Sequence, residues 1–209
     1  MDDWLIYAIG FLSQILFSGR IIIQWVQSEK LNQVVTPVIF WQLSLIASFL
    51  LFIYGWLRND FVIMLGQSLT YFIYIRNLQL QNFWKKLPFA FRAFLVASPF
   101  LIIIYSFNNN VFDLALLFKN ENIPLWLVIM GSIAQLIFTG RFVYQWIYSE
   151  NKKTSMLPLG FWILSITGSS LIIIYAILRK DPVLLTGHIF GSIVYIRNIQ
   201  LIKKSDHEQ

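Results

Sequence analysis

The chain spells one sequence twice. Gly10, Gln14, Phe17, Gly19, Arg20, Gln24 and Trp25 return as Gly131, Gln135, Phe138, Gly140, Arg141, Gln145 and Trp146, always 121 residues later. From Gly10 to Leu80 the register never slips, and 29 of 71 pairs are identical. Whatever one copy folds into, the other folds into as well, so the repeat constrains the architecture first. Within each copy the opening stretch is apolar apart from a few residues. On a helix, Gly10, Gln14, Phe17, Arg20 and Gln24 fall within an arc of about 120°. A polar stripe with one charge thus runs down an oily helix.

The residues around that stripe decide the class. Hydrophobic residues make up 57% of the 209-residue chain and charged residues 12%, where soluble domains carry about 25% charged residues. A bilayer takes about 20 apolar residues to cross. Seven such stretches are present, roughly 4–27, 37–57, 61–80, 88–107, 124–147, 158–178 and 182–201. The expected fold is therefore an all-α integral membrane protein with seven transmembrane helices. The first stretch is not expected to be a cleaved signal peptide, because Asp2 and Asp3 stand where a basic start belongs and Arg20 interrupts the apolar run. There is no cysteine, which excludes disulfides and thiolate metal sites. A net charge of +6 would suggest nucleic acid for a soluble protein. Here the basic residues lie between apolar stretches, which points to topology and anionic lipid headgroups instead.

Seven spans alternate sides. The N-terminal side carries Arg58, Lys119, Arg179 and Lys180, and the other side carries Lys30, Arg76, Lys85, Lys86, Arg92, Lys152, Lys153, Arg197, Lys203 and Lys204. The more basic side is expected to be cytoplasmic, with the N-terminus outside and the C-terminus inside. Residues 1–83 then form one three-helix repeat, 84–120 a linker span and outside loop, and 121–209 the second repeat with a short tail. The odd linker span, which has Pro99 inside and no polar stripe, lets both repeats enter the membrane in the same direction. This gives parallel repeats in a 3+1+3 arrangement. The polar stretch Asn108–Asn122 reads as an outside loop, with a short interfacial helix within it as the alternative.

Smaller motifs recur with the repeat. Pro37 and Pro158 open the second spans. Trp41, Ser44 and Ser48 share a face, as do Trp162, Ser165 and Ser169; the pattern fits close helix packing, or a cavity wall with an aromatic surface for a sugar ring. Asp60 and Asp181 stand where a carboxylate caps a helix, with an external gate as the alternative. Gly66 and Gly187 begin the small-residue faces of the third spans and are expected to be points of close approach. Arg76 and Arg197 near the cytoplasmic ends fit either headgroup snorkelling or ligand contact. Asn77 and Asn198 are amides whose hydrogen bonds must be met inside lipid.

No catalytic set and no metal site is legible, and no cofactor is expected. His188, opposite Gln67 in the other copy, reads as a polar residue packed between helices. Arg20 and Arg141 carry the sharper expectation. A charge deep in a bilayer costs about 2.5–3.5 kcal/mol on insertion scales and usually faces a bundle interior. Neither copy offers a carboxylate at matching depth. Snorkelling is one account of them; a ligand phosphate, which matches the planar fork of a guanidinium, is the other. Parallel repeats would bring the two arginines face to face.

The pattern Gln14, Phe17, Gly19-Arg20, Gln24-Trp25, with Tyr74 to Leu80, resembles the lipid A biosynthesis N-terminal family, once per repeat and over nearly the whole chain. That family takes its name from a membrane segment fused ahead of lipid A disaccharide synthase in some bacteria. The resemblance also implies kinship with the PQ-loop and SWEET transporter group, built as three, one and three helices with the N-terminus outside. Two departures stand out: the Pro-Gln pair is absent from both first spans, and the chain ends at Gln209 without a glycosyltransferase domain. Disaccharide synthase activity is accordingly not expected. The resemblance and the residues together imply a bacterial inner-membrane carrier or flippase for an anionic glycolipid or lipid-linked sugar. Arg20 and Arg141 would hold phosphate. Gln14, Gln135, Gln24, Gln145, Asn77, Asn198, Arg76 and Arg197 would contact the headgroup. The alternative is a noncatalytic module that binds lipid A precursors or anchors a glycosyltransferase. Membrane lipids are the expected partners, and nucleic acid is not.

Overall fold

The computed structural model describes residues 3–58, 60–108 and 124–207. Among them are seven α-helices and no strand: α1 (Asp3–Leu31), α2 (Val38–Leu57), α3 (Phe61–Leu80), α4 (Phe89–Asn108), α5 (Leu125–Lys152), α6 (Leu159–Leu178) and α7 (Pro182–His207). A 3-10 turn, Trp84–Lys86, precedes α4. The loop expected over Asn108–Asn122 lies, beyond Asn108, outside the described residues.

The helix ends follow from local chemistry and repeat between the copies. Pro37 and Pro158 stand just before α2 and α6 in extended conformation, at φ −69° and −72°, the value the pyrrolidine ring imposes. Asn32 and Lys153, 121 residues apart, end α1 and α5 with φ 49° and 53°. The turn after each is closed by a serine hydroxyl: Ser28 accepts the amide of Val35, and Ser149 that of Met156, both at 3.0 Å. The serine repeated at the end of each first helix is thus a turn device.

The helices pack in a closed ring. α1 lies on α2, α2 on α3, α3 on α5, α5 on α6, α6 on α7, and α7 back on α1. α4 stays outside this ring and touches it only lightly. The Tyr71 hydroxyl donates to the Leu95 carbonyl at 2.9 Å, one of its few attachments.

The distribution of side chains is inverted relative to a soluble bundle. Arg20, Gln24, Asn77, Arg141, Gln145 and Asn198 are buried, while Ile15, Ile133, Ile163 and Ile193 face outward and are at least half exposed. Water as solvent would favour the reverse; a hydrocarbon surround favours this arrangement. Among the described residues, four helices are long and apolar enough to cross a membrane: α1, α2, α5 and α6. The seven spans expected from sequence are thus four by that measure. α3 and α7 are more polar, carrying Gln67, Thr70, Arg76 and Asn77, and Thr186, His188, Arg197 and Asn198 respectively. In α4 the apolar stretch with described side chains is shorter, Phe89–Leu101.

Candidate functional site

The stripe on α1 faces α7, and its copy on α5 faces α3. Each glutamine of the pair Gln14 and Gln135 reaches a glycine of the other repeat. A methyl group added at Gly187 would run into the Gln14 amide, and one at Gly66 into the Gln135 amide. The close approach expected at these glycines is therefore made to an opposing side chain. Replacing either by leucine is expected to remove most of the folded protein recovered in detergent, because overpacking a full interior costs about 1–3 kcal/mol or more. Size-exclusion yield and melting temperature measure this; near-normal values for both variants would discount the contact.

Between the four helices lies a central cavity of about 60 Å³. Gln14, Arg20, Gln135 and Arg141 line it, together with Gln67, Thr70, Thr139 and His188. No aspartate or glutamate is among its lining residues.

The arginines are held by aromatic rings rather than by acids. The Arg20 guanidinium lies 4.5 Å from the ring centre of Phe17, 4.9 Å from Phe40, 5.6 Å from Tyr74 and 5.5 Å from Phe142. Its Nη1 donates to the Ser44 hydroxyl at 2.5 Å. The Arg141 guanidinium lies 3.5 Å from Phe138, 4.6 Å from Phe142, 5.2 Å from Phe161 and 5.3 Å from Tyr195. Cation–π contacts of this kind offset part of the cost of desolvating each charge. They fix the position of the charge and leave hydrogen-bond capacity over. Nε of Arg20, and Nε and Nη1 of Arg141, have no partner among the described residues. Arg20 is 3% exposed and Arg141 1%, so these donors are withdrawn from bulk solvent. Phe142 lies within reach of both guanidinium groups. Its counterpart in the first repeat is Ile21, so the two halves of the site are not identical.

Two sets of contacts between the repeats flank the cavity along the bundle. At the end where α2 meets α7, Asp181 pairs with Arg58 and accepts from the Tyr54 hydroxyl at 3.2 Å. It also caps α7, accepting from the amides of Val183 and Leu184, each at 3.0 Å. The symmetry mate joins Asp60 to Arg179 at 3.4 Å and to the Tyr175 hydroxyl at 3.1 Å, with Asp60 capping Ile63 at 3.2 Å. The expected capping role is present, and the same carboxylates bridge the repeats.

At the opposite end Gln24 Nε2 donates to Asn198 Oδ1 at 3.0 Å, and Gln145 Nε2 donates to Asn77 Oδ1 at 2.9 Å. Beyond them, Arg197 holds Glu29 through Nε at 2.6 Å and Nη2 at 3.2 Å, and Arg76 Nε holds Glu150 at 2.5 Å. The same glutamates accept from Trp25 and Trp146.

Of the residues singled out from sequence, Arg20, Arg141, Gln14 and Gln135 come together around one cavity. Gln24, Gln145, Asn77 and Asn198 form the layer beneath it. Arg76 and Arg197 sit at the rim in ion pairs. Trp41 and Trp162 are fully buried in the aromatic core and lie off the cavity wall; Trp41 donates to the Ser155 hydroxyl at 2.9 Å. Sequence reasoning missed the aromatic cage and the Tyr54 and Tyr175 bridges. Phe40, Tyr54 and Tyr74 are each repeated identically as Phe161, Tyr175 and Tyr195, and that identity was the available signal.

Residues 9–79 and 130–200 each match the family model described as Lipid A Biosynthesis N-terminal domain. The chain is 32% identical to the lipid-A-disaccharide synthase of Chlamydia pneumoniae over 96% of its own length and 34% of that protein's. It is 29% identical to the lipid-A-disaccharide synthase of Chlamydia caviae, over 95% and 33%. The chain thus spans about a third of the length of the curated relatives it matches. No solved structure matches it.

Proposed function

We propose, from the premise that this chain belongs to the Lipid A Biosynthesis N-terminal domain family, that it binds the phosphate of an anionic glycolipid or lipid-linked sugar between its repeats and carries it across the membrane. The observation that supports this most is the pair of buried arginines around one acid-free cavity, with guanidinium N–H groups unpartnered. A phosphate oxygen satisfies such donors and neutralises the charge at once. Gln14 and Gln135 stand beside them as headgroup contacts.

On this reading, residues 1–83 and 121–209 are parallel three-helix repeats joined by a linker span within 84–120, in a SWEET-like 3+1+3 arrangement. The two flanking sets of contacts then act as alternating gates. The Asp60 and Asp181 bridges form one, and the Gln24–Asn198 and Gln145–Asn77 layer with its rim ion pairs forms the other. A cavity of about 60 Å³ has space for a phosphate-sized group and not for a sugar, so a headgroup enters when one gate parts. Rocking of one repeat against the other would part them in turn.

The test is lipid mass spectrometry on the gently purified full chain. A phosphorylated glycolipid is expected to co-purify with the parent protein and to be lost from the Arg20→Ala, Arg141→Ala double variant. Equal recovery from both proteins would end this reading.

A second reading is favoured by the relatives themselves. They are lipid-A-disaccharide synthases of which the chain spans one third, so it would serve as a membrane module that presents a lipid A precursor to a glycosyltransferase. Co-purification of such an enzyme, with no lipid movement in vesicles, would select it.

The location proposed is a bacterial inner membrane, with the N-terminus outside. Single cysteines introduced into this cysteine-free chain report the sides. A cysteine replacing Lys180 is expected to react with impermeant maleimide on intact spheroplasts, and one replacing Lys153 only after lysis; the reverse pattern would invert the topology.

A further inference from the structure

The two repeats differ at one place that the reading above leaves unused. Ser48, Gln67 and Tyr71 of the first repeat correspond to Ser169, His188 and Ser192 of the second. In the second repeat these three positions satisfy one another. Ser169 Oγ lies 3.2 Å from His188 Nδ1 and 3.0 Å from Ser192 Oγ.

In the first repeat the same three positions border a second cavity, of about 140 Å³, between α2, α3 and α4. Its other walls are mainly the rings of Phe49, Phe52, Phe72 and Phe100. Ser48 Oγ and Gln67 Oε1 are buried there without a partner among the described residues. Ser48 is fully buried and Gln67 is 8% exposed. Gln67 also lines the central cavity, so one amide stands between an arginine-lined space and a phenyl-lined one. On the outer side Phe72 and Phe100, with ring centres 5.7 Å apart, are 40% and 52% exposed toward the surround of the bundle.

We propose that this cavity is the tail site of the transported lipid. Resting on the assignment of phosphate to Arg20 and Arg141, it takes the headgroup-proximal carbons of one hydrocarbon chain. The chain passes beside Gln67 and leaves between α3 and α4 into the bilayer. An apolar cavity of about 150 Å³ accepts a benzene-sized group, so the space suits a short run of methylenes. Gln67 Oε1 is an acceptor in need of a donor, which a hydroxyl or amide N–H at the junction of headgroup and chain supplies. The lightly attached α4 is the movable wall. The ligand class is therefore a phosphorylated amphiphile with a polar hydrogen near the start of its chain, held with head and tail in adjoining chambers.

The experiment uses the full chain in phosphatidylcholine vesicles containing phosphatidic acid with a diazirine near the start of one acyl chain. After photolysis, peptide mass spectrometry locates the label. Labelling is expected at Phe49, Phe52, Phe72 and Phe100, about tenfold above the corresponding second-repeat position Ile193. Ser68, whose side chain is exposed beside this mouth, provides the block: Ser68→Phe is expected to reduce the label about tenfold and Ser68→Ala to leave it unchanged. Even labelling of Phe72 and Ile193 would overturn the tail site without need of any variant. Equal labelling by a diazirine phosphatidylcholine would also overturn it, marking a general lipid contact. Inorganic phosphate separates the two proposals. If it raises the melting temperature of the parent protein, but not of the Arg20→Ala, Arg141→Ala variant, while labelling is even, only the tail site fails. If it raises neither, the phosphate reading fails, and the tail site with it.

Discussion

Arg20→Lys combined with Arg141→Lys is expected to weaken binding of phosphorylated lipid about tenfold, and replacement of both by alanine on the order of a hundredfold or more. The reason lies in the rings. Each guanidinium is stacked among four aromatic side chains, which orient a planar fork. An ammonium is also attracted to rings, but it has no plane to fix and cannot present two parallel N–H groups to one phosphate. Lysine therefore keeps the charge and loses the geometry. Stability separates this account from an anchoring role. With no acid beside it, Arg141 carries a desolvation cost that no counter-charge offsets in the ligand-free protein. Arg141→Met is expected to hold or raise the melting temperature without ligand while abolishing stabilisation by phosphate. Binding and melting temperature, each normalised to folded protein, give the comparison. Full binding in the doubly lysine-substituted protein would remove the phosphate fork from consideration.

Asp181→Ala is expected to be the most damaging single change to stability, by about 3–5 kcal/mol for the broken ion pair and about 1 kcal/mol more for the lost cap. The Asp181 side chain is 1% exposed and Arg58 17%, so the substitution strands a largely buried guanidinium and the Tyr54 hydroxyl together. Asp181→Asn keeps an oxygen for the α7 amides and loses only the charge, so it should recover about the cap's share. Asp60→Ala should cost less than Asp181→Ala, since Arg179 stands at 3.4 Å and a single amide is capped. Thermal unfolding in detergent ranks the three. An Asp181→Ala protein that melts like the parent would mean that this end of the bundle is not held by the bridge.

The sequence carried the helices and the stripe because both are local and written twice. Gln14, Arg20 and Gln24 share one face by helical arithmetic alone, and Gln135, Arg141 and Gln145 repeat it. What it could not carry was partnership across the repeats. Asn77 and Asn198 plainly needed hydrogen bonds, yet nothing in their own segments named Gln145 and Gln24 as the providers. Arg76 and Arg197 looked equally fit for headgroups, because their glutamate partners lie on another helix, 74 and 168 residues away. The aromatic cages were hidden for a different reason. Phenylalanine and tyrosine in an apolar helix carry no directional signal, and only packing shows which of them surround a charge. The cavity beside Gln67 was illegible because it arises where the copies disagree, at Tyr71 and Ser192 among others, and a repeat carries its signal where the copies agree.

Three sets of contacts between the repeats come in reciprocal pairs. Gln24 meets Asn198 as Gln145 meets Asn77, Glu29 meets Arg197 as Glu150 meets Arg76, and Asp181 meets Arg58 as Asp60 meets Arg179. This is the grammar of an isologous interface, in which one patch recognises a copy of itself. A half-length chain bearing one repeat would find every one of these partners on a second molecule of its own kind. Joining the halves in one polypeptide adds something a homodimer lacks. Each half is free to change alone, so Phe142 can stand against Ile21 and His188 against Gln67. The site between them becomes lopsided, and a lopsided site can tell the two ends of a ligand apart.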